Sequence, residues 1–373
     1  MSDIDVSVIV PCYNVERYLD EALSSIERND RCGLEILVVN DGSTDGSLEI
    51  MRAHEARDSR VRVIDKANQG YGATVNRGID EARGAYVAIL EPDDWVEPHM
   101  YDDLYEYAAS FEAAYGLPDI VKSAYWRIYL PETPDEQKLR CSYYKRIDPP
   151  QQPFTLAEEP RLVWHHPSIW SALYRKGFLS DKNIRFKELP GAGWVDNPFL
   201  FETMCQADTI VYTDNCYYCY REDLPGSSSA TRVLELSFER WHDMADVCDR
   251  LGIDDFGIRR SLTVIGFRYV GEAVGRGALD DPSLEPMIKS IFERMDPDVI
   301  VSLTNVSPEL RALAFTMCDR PVPHMSKAAY MKALADEFVY SVRVNGWRFA
   351  IERTGIYRER RERQDKESAR HSA

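Results

Sequence analysis

Apolar residues follow two alternating patterns along the first hundred positions. Short runs rich in branched apolar residues predict four strands, at residues 6–10, 34–39, 61–64 and 85–90. Between the runs, apolar residues recur at helical spacing, as Leu19, Leu23 and Ile26 do after Asn14, a predicted N-cap. Nearly continuous apolar strands that alternate with helices predict a mostly parallel sheet covered on both faces.

The pattern changes in the rest of the chain. From residue 101 to about 160 it weakens, and extended, loop-rich structure is predicted there by Pro131, Pro134, Pro149, Pro150 and Pro153. Residues 225–229, Pro-Gly-Ser-Ser-Ser, have the composition of a linker, and residues 233–342 read as mostly helical. We therefore predict an α/β domain at residues 1–225 and a helical carboxyl-terminal region at residues 226–373.

The composition and net charge of the chain argue against several classes of function. The 373 residues are 44% hydrophobic and 29% charged, which is ordinary for a globular protein. The net charge of −17 disfavours nucleic acid as a partner. The first five residues are polar and no apolar run approaches the ~20 residues of a membrane-spanning helix, so we expect a cytoplasmic protein. The eight cysteines include one C-x-x-C pair, Cys216 and Cys219, which we expect to be ordinary thiols rather than a zinc site.

Residues 343–373 differ from the acidic remainder. Nine Lys and Arg stand against five Asp and Glu, with Trp347, Phe349 and Tyr357 between them. One interpretation is an amphipathic segment that contacts a membrane surface, at the inner face of the membrane. The other is a solvated terminal helix, which Gly346 and Gly355 would weaken. Binding of the acceptor and a homodimer contact are further roles open to the helical region.

Two adjacent carboxylates, Asp93 and Asp94, directly follow the fourth predicted strand, in the segment Glu91-Pro92-Asp93-Asp94 that we call the acidic turn. Two adjacent charges at the end of a buried strand are costly unless they are neutralised. Mg²⁺ or Mn²⁺ would neutralise them and would also bind the diphosphate of a nucleotide. The alternative is a plain turn, since Pro and Asp are common in turns; the position after the fourth strand favours the metal site.

Two other loops should lie at the same edge of the sheet. Asp41 follows the second strand and is a candidate acceptor for a base or ribose hydrogen, whereas Asp45 reads as a helix cap. Asn68 and Gly70 stand in a glycine-containing turn before the third helix, where the backbone can approach a ligand closely. The first strand is not followed by G-x-G-x-x-G, which counts against a nicotinamide dehydrogenase.

Taken together, four segments resemble the family 2 glycosyltransferases of the GT-A fold. They are residues 6–14, 38–45, 68–78 and 91–95, and the resemblance resumes more loosely at residues 170–175 and 217–221. It implies a metal-assisted, inverting transferase that moves a sugar from a nucleotide diphosphate sugar, usually a uridine diphosphate sugar, to a glycan or lipid-linked acceptor. Assembly of bacterial surface polysaccharide is the setting that the family suggests.

The resemblance also implies residue roles. Asp94 is the expected metal ligand and Asp93 lies near the ribose and the metal, while Glu91 stands where the family usually has Asp. Asp196, in the segment Trp194 to Phe199, is the expected catalytic base, with a helix N-cap as the alternative. The residues expected to line the donor are Pro11, Tyr13, Asn14, Asp41, Asn68, Gly70, Asp93 and Arg221.

Other functions stay open on the sequence. A protein that binds a nucleotide sugar without turning it over would share the loops. A sugar-phosphate nucleotidyltransferase would share the sheet and the metal but needs a glycine-rich, basic loop after the first strand, where this chain has Pro11 to Glu16. His165 and His166 read either as acceptor or metal contacts or as ordinary packed histidines.

Overall fold

A computed structural model describes residues 4–222, 224 and 233–371, with side chains as far as residue 351. The chain divides into two compact units, Met1–Arg232 and Val233–Ala373. The predicted linker at residues 225–229 lies outside the described residues, so the domain boundary predicted after residue 225 stays a prediction.

The described part of the first unit contains a nine-stranded sheet. Its strands are β1 (Val6–Cys12), β2 (Leu34–Asp41), β3 (Val61–Lys66), β4 (Tyr86–Ile89), β5 (Trp95–Val96), β6 (Ile120–Tyr129), β7 (Gln137–Arg140), β8 (Ala172–Arg175) and β9 (Ile210–Arg221). The strand order is β3-β2-β1-β4-β8-β6-β9-β5, and β7 pairs with β6.

The first four strands are parallel, as predicted. β1 pairs with β2 and β4, and β2 pairs with β3. Every residue of β1, β2 and β4 is buried, because helices cover both faces of this part of the sheet. The carboxyl ends of β1, β2 and β4 therefore place residues 11–14, 41–45 and the acidic turn at one edge.

The helices of the first unit connect these strands. They are α1 (Glu16–Ile26), α2 (Ser47–Arg57), α3 (Tyr71–Glu81), α4 (Met100–Tyr115), α5 (Lys176–Asp181) and α6 (Asp196–Gln206). The predicted apolar stripe of α1 is confirmed, since Leu19, Leu23 and Ile26 are buried. The N-cap predicted at Asn14 is wrong: Val15 occupies that position, and Asn14 has a left-handed backbone with φ 52°.

The prediction of loop-rich structure from residue 101 to about 160 is wrong over its first thirty residues. That stretch holds α4, of 16 residues, and the ten-residue strand β6, which pairs in parallel with β9 and antiparallel with β7 and β8. The apolar pattern of β6 is interrupted by Lys122 and Ser123, although both side chains are buried. Antiparallel neighbours thus complete a sheet whose first four strands are parallel.

The second unit is helical in its described residues, as predicted. Its helices are α7 (Leu234–Leu251), α8 (Phe256–Gly275), α9 (Glu285–Glu293), α10 (Pro297–Ser302), α11 (Pro308–Met317) and α12 (Lys327–His371). The indole of Trp241 on α7 donates a hydrogen bond to the Leu262 carbonyl on α8 at 2.9 Å. A Cβ at Gly266 on α8 would lie 2.7 Å from the Trp241 Nε1, so a side chain there would push α7 and α8 apart.

The helical geometry of α12 is interrupted at Gly346, where φ is 86°. Within the described residues, the helices are either too short or too polar to cross a lipid bilayer.

Candidate active site

The acidic turn follows β4 and is closed by a hydrogen bond of 3.1 Å from the Asp94 amide to the Glu91 carbonyl. The buried Asp94 carboxylate accepts one hydrogen bond from the Tyr218 hydroxyl, at 2.9 Å, and one from the Arg221 amide, at 2.7 Å. Burial, reinforced by the charge of Asp93, raises the pKa of Asp94 well above its usual range. Both oxygens of Asp94 are therefore engaged by β9.

Asp93 is placed differently from its neighbour. Its side chain is half-buried, and among the described residues the only hydrogen-bond donor to its carboxylate is its own amide. Burial raises the pKa of Asp93, and the positive charge of Arg221 opposes that rise. Within the acidic turn, Asp93 thus offers the carboxylate with room for an outside ligand.

Glu91 links the acidic turn to α3. Its Oε1 accepts a hydrogen bond of 2.5 Å from the Tyr71 hydroxyl, at the start of that helix. Burial raises the pKa of Glu91 to about 8; the charges of Asp93 and Asp196 add to the rise, and the bond from Tyr71 opposes it. Glu91 therefore lies within electrostatic reach of both other carboxylates.

Asp196 is the first residue of α6, one position after the N-cap Val195. The N-cap alternative for Asp196 is therefore wrong. Burial raises the pKa of Asp196, while hydrogen bonds from Asn197, including one of 3.1 Å from its side-chain amide, oppose the rise. The charge of Asp196 also raises the pKa of Tyr71. Asp196 and Tyr71 therefore belong to the same site, although they are far apart in the sequence.

The segment before Asp196 is fixed to α3. The Asn76 side chain exchanges two hydrogen bonds of 2.9 Å with the Phe186 backbone, and the Tyr71 amide donates to the Gly191 carbonyl at 2.9 Å. Gly70 has φ 91°, and a Cβ there would lie only 2.1 Å from the Leu189 carbonyl oxygen. Because only glycine allows this approach, the turn before α3 brings residues 186–191, and with them Asp196, to the site.

Asp41 joins the end of β2 to the turn before α3. Its buried carboxylate accepts hydrogen bonds from the amides of Gln69, at 2.9 Å, and Gly70, at 3.0 Å, and forms an ion pair with Lys66. The Asn68 side chain in the same turn is exposed. Asp41 thus shapes the turn that was predicted to approach the donor.

The loop after β1 is tied to the loop after β2. The Asn14 Oδ1 accepts a hydrogen bond of 2.8 Å from the Thr44 amide, and the Asn14 amide donates to the Ser43 hydroxyl at 3.1 Å. Pro11 is buried, whereas Tyr13 is 51% exposed. The side chain of Asn14 therefore stabilises the loop after β2, and the Tyr13 side chain is exposed at this edge of the sheet.

Arg221 braces the acidic turn from the end of β9. Its guanidinium donates to the Asp93 carbonyl, pairs with Glu21, and lies 4.3 Å from the centre of the Trp95 ring. The side chain is almost completely buried. These contacts place its positive charge beside Asp93.

The sequence of the first unit is similar to a known family. The model of the family described as Glycosyl transferase family 2 matches residues 7–178, which are slightly less than half of the chain. This segment therefore resembles a family 2 glycosyl transferase domain.

Two relatives come from Bacillus subtilis (strain 168). The putative glycosyltransferase EpsH is 38% identical over 237 residues, which are 63% of this chain and 65% of EpsH. The uncharacterized glycosyltransferase EpsJ is 33% identical over 232 residues, 58% of this chain and 61% of EpsJ. The chain thus spans less than two thirds of the length of either relative.

A solved structure supports the fold over most of the chain. The crystal structure of S. aureus TarS residues 1–349 in complex with UDP-GlcNAc superposes with a TM-score of 0.66 and 21% identity, covering 91% of this chain and 92% of TarS 1–349. The predicted GT-A fold of this glycosyl transferase domain, with a helical carboxyl-terminal region, is confirmed.

The structure adds site residues that the sequence reading missed. Tyr71 and Tyr218 bind the acidic turn at Glu91 and Asp94, and Lys66 pairs with Asp41. Tyr71 and Tyr218 lie inside segments that resemble the family, at residues 68–78 and 217–221, and this was the signal available in the sequence. The sequence gives no sign of which carboxylate each tyrosine binds.

His165 and His166 are both half-buried. The His166 Nδ1 accepts a hydrogen bond of 3.1 Å from the Ser168 amide, and its ring lies 4.9 Å from that of Tyr220. The His165 ring stacks against Tyr143 at 6.4 Å. These contacts favour the interpretation of packed histidines.

A second cluster of potential metal ligands consists of Asp30, His99 and Asp102, whose ligand atoms lie within 4.8 Å of one another. The Asp102 carboxylate already accepts hydrogen bonds from the amides of Asp30, Arg31 and Cys32 and contacts the His99 Nδ1 at 2.9 Å. Its contacts are those of a carboxylate that fixes a loop to the start of α4.

Proposed function

We propose that the chain is an inverting glycosyltransferase that moves a sugar from a uridine diphosphate sugar to a hydroxyl group of a glycan or lipid-linked acceptor. The observation that carries the proposal is the meeting of Glu91, Asp93 and Asp196 at the carboxyl edge of a family 2 domain, where the charges of the two aspartates raise the pKa of Glu91. Bacterial surface polysaccharide is the proposed product class.

The donor would lie along the connected loops at residues 11–14, 41–45 and 68–70. Their hydrogen bonds to one another give a preformed surface, with Tyr13 exposed and Asp41 buried beneath. The uridine nucleotide is proposed because TarS, which shares the fold, was crystallised with UDP-GlcNAc. Arg221 would stabilise the negative charge of the diphosphate as it leaves.

Asp93 is the proposed ligand for Mg²⁺ or Mn²⁺. Such ions are commonly held by one or two carboxylates together with substrate phosphates and water, and Asp93 has the carboxylate not engaged by β9. Asp94 was predicted as the principal ligand, but its two oxygens already bind Tyr218 and Arg221. We assign Asp94 the role of anchoring the turn. The ion would supply charge stabilisation to the leaving diphosphate.

Asp196 is the proposed general base. Burial raises its pKa, which strengthens it as a proton acceptor, and the Asn197 amide favours the ionised form. Its carboxylate would take the proton of the acceptor hydroxyl as that oxygen attacks the anomeric carbon on the side opposite the diphosphate. The C–O bond to the diphosphate breaks as the new bond forms, which inverts the configuration.

Donor binding and turnover can be measured separately to test these roles. In calorimetric titrations with uridine diphosphate sugars, we expect Mn²⁺ to tighten donor binding. In the presence of Mn²⁺, we expect Asp93→Asn to bind the donor at least about tenfold more weakly than the wild type. Asp196→Asn should bind donor as the wild type does but lose about 10²- to 10⁴-fold in UDP release with a panel of glycoside acceptors.

The two assignments fail independently. Binding that is indifferent to both Mn²⁺ and Asp93 would rule out the metal site. Turnover that survives in Asp196→Asn would assign the base elsewhere. Donor binding without any turnover in the wild type would favour a nucleotide-sugar-binding protein over an enzyme.

A further inference from the structure

An apolar stripe, partly exposed to solvent, runs along the first half of α12. Met331, Leu334, Phe338 and Val342 follow at intervals of three and four residues, which places them on one face. Met331 is 61% and Leu334 45% exposed, although a helix in a water-soluble protein ordinarily turns such a face inward. We call these four residues the α12 stripe.

Both sides of α12 are partly covered. Tyr340 and Val344 on the other side of the helix are half-buried, as are Phe338 and Val342 within the α12 stripe, and Ser341, seven residues after Leu334, is buried. The exposed apolar surface of the stripe is therefore that of Met331 and Leu334.

The apolar surface continues past the break at Gly346. Trp347 is 65% and Ile351 59% exposed, and the Trp347 ring lies 6.0 Å from that of Phe338. The indole thus joins the α12 stripe to the following segment. Tryptophan is the side chain most typical of the boundary between water and lipid.

The charge of α12 is opposite to that of the rest of the chain. Lys327–His371 contains eleven Lys and Arg and seven Asp and Glu, a net charge of +4, whereas the other residues together carry −21. An extended helix with this polarity is attracted to an anionic surface that repels the remainder of the molecule. The anionic surface of a bilayer also accommodates exposed apolar side chains.

A second copy of the chain fits this face less well. The α12 stripe covers less than two heptads before Gly346, whereas a stable coiled coil needs about three to four. Two copies of α12 would also bring like net charges together. The combination of a short apolar stripe, an exposed tryptophan and a positive helix is the composition of an interfacial membrane helix.

We propose that α12 docks on the surface of an anionic lipid bilayer, with the α12 stripe, Trp347 and Ile351 inserted at the boundary of headgroups and acyl chains. The helix lies in the plane of the surface and does not cross it. This interaction goes beyond sugar transfer and requires neither donor nor metal.

The test is sedimentation of the full chain with phosphatidylcholine vesicles, with and without about 30% phosphatidylglycerol. We expect the anionic lipid to raise the partition coefficient at least about tenfold, and about 0.5 M NaCl to remove most of that gain. Leu334→Glu combined with Trp347→Glu should lower it at least about tenfold. Arg343→Gln combined with Arg348→Gln should reduce the gain in partition coefficient that phosphatidylglycerol gives. Binding to pure phosphatidylcholine vesicles should stay as in the wild type.

The matched control is Phe256→Glu, which places a negative charge on an apolar side chain that is 55% exposed at the start of α8. It should bind vesicles as the wild type does, and circular dichroism should show that every variant folds. A wild-type chain that stays in the supernatant with anionic vesicles overturns the proposal. So does binding that the α12 substitutions leave unchanged, or a dimer in light scattering that Leu334→Glu separates, because a second copy would then cover the face.

Discussion

The Tyr218 hydroxyl binds both ends of the acidic turn: it donates a hydrogen bond to Asp94 Oδ2 at 2.9 Å and accepts one from the Glu91 amide at 3.1 Å. Its ring is held in turn by Trp170, whose centroid lies 3.9 Å away in a stacked arrangement. A residue of β9 thus determines the shape of a turn that follows β4.

Tyr218→Phe should destabilise the protein by about 1–3 kcal/mol, because it leaves the buried Asp94 carboxylate with one donor fewer while preserving the stacked ring. Urea unfolding followed by fluorescence measures the change. Tyr217→Phe is the control, since the Tyr217 hydroxyl accepts a hydrogen bond from the exposed Asn215 and interacts with the partly exposed Asp103 rather than with a buried carboxylate. Equal effects of the two substitutions would show that the bond to Asp94 contributes no special stability.

Gly70→Ala should separate the turn before α3 from residues 189–191, because the new Cβ would lie 2.1 Å from the Leu189 carbonyl. We expect a loss of at least about 2 kcal/mol of stability and a marked loss of turnover, since Asp196 follows that segment. Gly191→Ala is the control: Gly191 also has a positive φ, of 68°, but a Cβ there meets nothing within 4 Å. It should cost only about 1 kcal/mol of backbone strain. A Gly70→Ala enzyme as active as Gly191→Ala would contradict the role of this contact.

The raised pKa of Glu91, about 8, predicts how the stability of the metal-free protein depends on pH. Between the ordinary pKa of a glutamate and 8, the folded chain holds a proton at Glu91 that the unfolded chain has released. The contribution of this proton to the free energy of unfolding is therefore fully present at low pH. It is lost as the pH rises towards 8, by at most about 1.4 kcal/mol per pH unit.

Urea unfolding at several pH values, with chelator present, measures this dependence. Glu91→Gln should make the fall between about pH 5 and 8 shallower, and the remainder belongs to Asp93, Asp94 and Asp196, whose pKa values are also raised. Glu106→Gln, at a position that is 61% exposed, should retain the full wild-type fall. If the free energy of unfolding falls with pH as steeply in Glu91→Gln as in the wild type, the titrating group is another residue. Mn²⁺ should flatten the wild-type curve, because a nearby cation favours the ionised carboxylate.

The strands that carry the site were predictable because their apolar runs are nearly uninterrupted. β1 and β2 are buried throughout and read as strands without tertiary information. β6 was missed because Lys122 lies inside it, and a buried lysine looks like a surface residue in the sequence. Its amino group donates hydrogen bonds to oxygens of Ser168 and Ser171, more than forty positions away.

The same limit applies to individual site residues. Asn14 has the right residue type for an N-cap, but Thr44 takes its side chain, and this choice depends on the adjacency of two parallel strands. Asp93 and Asp94 are chemically identical in the sequence. Their different surroundings arise from the pairing of β5 with β9, which brings Tyr218 and Arg221 to Asp94. Local pattern located the acidic turn but did not assign roles within it.

The pairing of β6 with β9 also sets the smallest piece of this chain that holds a complete site. The segment that matches the family ends at residue 178, whereas Asp196, Tyr218 and Arg221 all follow it. A fragment cut at the end of the match would keep the first four strands but would leave Asp94 buried beside an open strand edge. For protein engineering, the portable unit therefore extends through β9, and domain exchanges between relatives should keep residues 6–221 together.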